Sequence, residues 1–65
     1  MLLKIGYEQL IVVNPSKEQV NDIEEKAGKS IVISDCSYGL SLKGEKADLY
    51  ELLCSLSFKY DLEVN

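Results

Sequence analysis

The hydrophobic spacing of this chain switches from a period of two to a helical period and back, twice, and that double switch restricts the fold more than any single residue does. Along residues 3–13, Leu3, Ile5, Tyr7, Ile11 and Val13 share one parity, with Gln9 out of step, which is the alternation of a half-buried strand. Asn14-Pro15-Ser16 then stops the strand and opens a helix. Ser16 and Gln19 have the S-x-x-Q spacing of a capping box; Ser16, Val20, Ile23 and Ala27 share one face, and Gly28 is placed to end the helix. The β-branched run Ser30-Ile31-Val32-Ile33-Ser34 reads as a strand, and Asp35-Cys36-Ser37-Tyr38-Gly39 holds turn-forming residues. A third strand follows, with Tyr38, Leu40 and Leu42 alternating against Gly39, Ser41 and Lys43. From Gly44 to about Ser57 the helical period returns, with Leu49, Leu52, Leu53 and Leu56 on one face. Last, Phe58, Tyr60, Leu62 and Val64 alternate with Lys59, Asp61 and Glu63.

The order β-α-β-β-α-β predicts an α+β fold, a ferredoxin-like two-layer sandwich of split βαβ units. A second reading divides residues 1–13 into an N-terminal hairpin turning near Gly6, which gives ββαββαβ. The halves also correspond in pattern at a 31-residue offset: Tyr7 with Tyr38, Ile11 with Leu42, Ile31 with Leu62, Ile33 with Val64. The chain, 1–65, is read as a single domain. A domain of this size buries only roughly 60% of the surface its unfolded chain exposes, so an internal ligand pocket would compete with the core.

Chemistry is limited by what is missing. The chain has no histidine, arginine, tryptophan or threonine, and only two cysteines, Cys36 and Cys54. Two thiols without imidazole do not complete a usual zinc set, so no metal is expected, and no cofactor. Both cysteines are expected to be small buried residues. The longest apolar run is Leu10-Ile11-Val12-Val13 and no signal-like segment is seen, so a cytoplasmic protein is expected. Metallochaperones, acylphosphatases and RNA-binding domains of the predicted topology are set apart by a cysteine pair in the first loop, an arginine, or aromatics and bases on the open sheet face. At the matching places this chain has Val13-Asn14-Pro15-Ser16, no arginine, and Leu10, Val12, Gly39 and Ser41.

Eleven acids against seven lysines leave a net charge of −4, which disfavours direct nucleic-acid binding and anionic membranes. Residues 1–33 hold five acids and four lysines, residues 34–65 six acids and three lysines. Glu18, Asp22 and Glu25 form a stripe on the first helix, and Asp48 and Glu51 lie on the second. An outward helix face is the opposite of the desolvated cleft that carboxylate acid–base catalysis needs, so these acids suit binding better than catalysis. The sheet offers a second surface. If Leu3, Ile5, Tyr7, Ile11 and Val13 face the helices, then Leu10, Val12 and Val32 face away, beside the small Gly39 and Ser41. Ala47, Tyr50 and Cys54 are expected to widen the core contact of the second helix.

The sequence therefore predicts a small non-enzymatic protein-binding module, an inhibitor or adaptor. Its partner-binding residues are Glu18, Asp22, Glu25, Asp48 and Glu51 on the acidic helix surface, with Leu10, Val12 and Val32 on the open sheet face. The partner is another protein, such as a nucleic-acid enzyme whose basic groove is blocked in the way that small acidic phage or mobile-element inhibitors work. The alternative is a homodimeric regulatory domain that binds a small ligand between protomers.

Overall fold

The computed structural model describes residues 1–64. Strands β1 (Leu2–Gly6) and β2 (Gln9–Val13) form a hairpin, followed by helix α1 (Lys17–Lys26). Strands β3 (Val32–Cys36) and β4 (Gly39–Lys43) form a second hairpin, followed by α2 (Lys46–Ser55) and β5 (Asp61–Val64). Among the described residues these are mixed α and β elements in the order ββαββαβ, the second of the two sequence readings.

The sheet order is β3-β4-β2-β1-β5. The α+β class holds, but the predicted four-stranded ferredoxin-like sheet is replaced by a five-stranded one of different order: β1 is a separate strand and stands between β2 and β5. It is antiparallel to β2 and parallel to β5. The mixed pairing follows from direction, since β2 and β5 run oppositely and a strand between them can be antiparallel to only one.

The first turn corrects the predicted facing of the N-terminal segment. Tyr7 and Glu8 alone separate β1 from β2, so Ile5 stands opposite Leu10 and Leu3 opposite Val12. A two-residue turn moves the inward set from odd to even positions. Leu10 and Val12, expected to face away, are therefore core residues at 1% and 0% exposure, while Ile11 and Val13 lie half-buried on the other face. Gln9, out of step in the sequence, marks where the parity changes.

The core sits between one sheet face and the two helices. Leu3, Ile5, Leu10, Val12, Leu40 and Leu42 meet Ile23 of α1 and Leu49, Leu52 and Leu53 of α2, with Ile31 closing the connection into β3. Each fully buried aliphatic side chain contributes about 1.5–3 kcal/mol by removal from water. The predicted capping box starts α1: Ser16 Oγ accepts from the Gln19 N–H at 3.2 Å, and Gln19 Oε1 accepts from the Ser16 N–H at 2.8 Å. The helix stops one residue before the predicted Gly28, where Ala27 turns extended.

An internal two-fold relation organises the sheet. A shift of 30 residues carries 2–6 onto 32–36 and 9–13 onto 39–43, while the helices correspond at 29. The predicted offset of 31, which also matched Ile31 with Leu62 and Ile33 with Val64, gives way to a ββα repeat at 30 that leaves β5 outside it. The β2–β4 pairing centres on Ile11 opposite Ser41, itself a 30-residue pair. Matching bonds stand on either side: the Asn14 N–H donates to the Tyr38 carbonyl at 2.8 Å, and the Gly44 N–H to the Glu8 carbonyl at 3.2 Å.

Candidate functional site

Helical phase decides which acidic residues reach the surface. Ile23 is buried on α1, so Glu18, Glu24 and Glu25 project outward and are exposed. On α2, Leu49, Leu52 and Leu53 take the inward side; Glu51 is exposed and Asp48 half-buried. Asp48 and Glu51 come together with Lys26, Ser30 and Leu52 around a hollow of about 170 Å³ at the C-terminal end of α1. Glu18 borders a second, shallower hollow of about 330 Å³ with Asp22, Ser57 and Phe58.

The charge is segregated between the layers. The α1 segment carries four acids against two lysines, and α2 with its N-cap Glu45 carries three acids against one lysine. The strands and loops hold the remaining four acids and four lysines. The net charge of −4 thus belongs to the helix layer, and the rest of the chain is neutral.

Asp22, predicted as part of the contact stripe, is bonded within the chain. Its carboxylate accepts from Lys26 Nζ at 2.7 Å, from the Ser57 N–H at 3.0 Å and from Ser57 Oγ at 3.2 Å. Lys26 Nζ also donates to Ser57 Oγ. These bonds tie α1 to the segment leading into β5. Nothing in the sequence signalled Ser57 as the partner, because the two lie 35 residues apart.

The Lys26 bond first, and then the Ser57 backbone N–H, hold the Asp22 carboxyl below the ordinary 3.8. The stabilisation is complete above that unfolded-state value and is lost as pH falls through the lower folded-state value. In Asp22→Asn, urea-unfolding stability should therefore fall less steeply than in the parent as pH drops below about 4. Equal slopes in the two proteins would contradict the assigned bonds.

The open sheet face carries Lys4, Ile11, Val13, Val32, Gly39 and Ser41. Val32 is 64% exposed. Ser41 is buried, its Oγ accepting from Gln9 Nε2 at 2.9 Å. The Tyr38 ring lies 5.6 Å from Lys4 Nζ, which pairs with Glu63 at 3.6 Å.

Two further expectations are corrected. Ala47, Tyr50 and Cys54 are exposed rather than core, because at 3.6 residues per turn they fall on the side of α2 away from Leu49. Cys54 is exposed for that reason, and Cys36, at the end of a sheet-edge strand, is only half-buried. Glu24 is a further exposed acid outside the predicted stripe, and its place beside Glu25 makes it legible in the sequence.

No helix among the described residues is long and apolar enough to cross a membrane. Comparison with protein-family models, curated proteins and solved structures finds no match to this chain.

Proposed function

We propose that this chain is a non-catalytic protein-binding module, an inhibitor or adaptor that presents its helix layer to a basic surface of a partner protein. The observation that supports this is that the net charge of −4 falls on the two helices together with the N-cap Glu45, while the remaining strands and loops balance. Such a layer speeds encounter with a positive partner and suppresses approach to negative ones. Glu18, Glu24 and Glu25 on α1 and Glu51 on α2 supply exposed carboxylates, with Asp48 at the adjoining hollow. Asp22 contributes field, but its oxygens are occupied within the chain. The groove of a nucleic-acid enzyme has the required sign and is one such surface.

The test is affinity capture from the native cell with two baits, the unmodified chain and Glu18→Lys/Glu25→Lys/Glu51→Lys. All three substituted side chains are exposed, so both baits should give the same far-ultraviolet circular dichroism. The reading predicts a basic partner, identified by mass spectrometry, that the reversed bait fails to retain. Equal recovery by both baits would overturn it.

A further inference from the structure

The two ends of the sheet differ in how they are guarded. The β5 end is a four-residue strand with alternating acids, Asp61 and Glu63, beside the Lys4 ion pair. Short, charged strands of this kind resist edge-to-edge pairing. The β3 end, Val32-Ile33-Ser34-Asp35-Cys36, has neither proline nor lysine, a single charge, and pairing on one side only. The internal two-fold sharpens the contrast: it relates β1 to β3, yet β1 is covered by β5, and among the described residues no strand lies outside β3.

Backbone direction along β3 follows from its turn. Ser37 and Tyr38 alone separate Cys36 from Gly39, so Cys36 and Gly39 are the hydrogen-bonded closing pair. Alternation then turns the N–H and C=O groups of Val32, Ser34 and Cys36 toward β4, and those of Ile33 and Asp35 outward. Three antiparallel registers between two copies match outward groups with outward groups. Centring on Asp35 sets two carboxylates face to face, which is unfavourable. Centring on Ile33 places Asp35 opposite Ile31, a buried residue. Centring on Ser34 places Ile33 opposite Asp35 twice, with all four outward groups paired, and Val32 opposite Cys36 on the open face.

We propose that the β3 edge is a self-association edge, to which a second copy of this chain adds its own β3 antiparallel about Ser34. The register is self-complementary: its one charged residue meets no like charge, and its exposed valine meets the half-buried thiol. The result is a continuous ten-stranded sheet with both helix layers on the same side. This association does not rest on the acidic-surface reading, because its register is set by the β3 backbone and the β3 side chains alone.

The register fixes a disulfide test. Opposed residues of a non-hydrogen-bonded antiparallel pair lie about 4.5 Å apart at Cα, within disulfide range. Val32→Cys in a Cys54→Ser background, oxidised with diamide, should give a dimer linked between the introduced thiol and Cys36 of the second copy. On the order of tenfold more linked dimer is expected than from Cys54→Ser alone. The unmodified reduced chain should also show dimer by sedimentation at about 100 μM, since pairings this small are weak. A monomer at that concentration, or a dimer linked through two copies of Cys36, would overturn the proposal.

Discussion

Replacing Gly39 with alanine is expected to unfold most of the protein at room temperature. Gly39 has φ +144°, a backbone region that side-chain-bearing residues rarely adopt, and a Cβ built there lies 2.5 Å from the Val12 carbonyl oxygen and 2.6 Å from Pro15 Cδ. The first neighbour is backbone of a central strand and the second is a ring at the start of the α1 approach, so neither can swing aside. Backbone strain of this kind costs about 1–3 kcal/mol before the steric clash is added. A 65-residue domain has roughly 3–10 kcal/mol in total to lose. A urea titration followed by circular dichroism should show the transition of Gly39→Ala displaced to low denaturant or absent. Gly6→Ala is the control: nothing lies within 4 Å of its added Cβ, and its stability should stay within about 1 kcal/mol of the parent. Equal behaviour of the two variants would contradict the described β2–β4 contact.

Leu42→Ala is expected to have the next largest effect. Leu42 is fully buried on β4, opposite Leu10 on one neighbouring strand and Ile33 on the other. Truncation removes favourable burial and leaves a cavity between sheet and helices, a combined loss of about 2–5 kcal/mol. Val32→Ala, one strand away and largely exposed, should cost well under 1 kcal/mol. The same titration reads both. A small loss at Leu42 with a large one at Val32 would mean that the sheet packs on its helices through the opposite face.

Much of the local structure was legible because it is local. The Ser16–Gln19 box, the leucine face of α2 and the alternation through Leu40 and Leu42 depend on neighbours a few residues away. The facing of Leu10 and Val12 was not, because parity read through Tyr7 and Glu8 assumes an unbroken strand. Glu8 has φ +53°, a left-handed conformation that no glycine at its position advertises. The place of β1 between β2 and β5 depends on pairings across nearly the whole chain, which one-dimensional periodicity does not carry.

The candidate surface divides in the same way. Glu18, Glu25 and Glu51 follow helical phase and were readable as exposed carboxylates. Asp22 shares that stripe by spacing, but its carboxylate is engaged by Ser57, distant in sequence and brought close only by the chain's return toward β5. The outward position of Cys54 and Tyr50 also becomes evident only once Leu49, Leu52 and Leu53 fix the inward direction of α2. The total of −4 was visible from composition; its confinement to one layer required the element boundaries.

The most direct test of the central reading is the association rate of the captured partner with the unmodified chain and with Glu18→Gln/Glu25→Gln/Glu51→Gln, at low and near-physiological salt. Exposed charges are screened over about 8 Å at 0.15 M ionic strength, so steering by the helix layer should weaken as salt rises. The account predicts a rate for the unmodified chain that falls about tenfold or more between the two conditions, and a slower, nearly salt-independent rate for the neutralised chain. Equal rates for the two chains at low salt would contradict it.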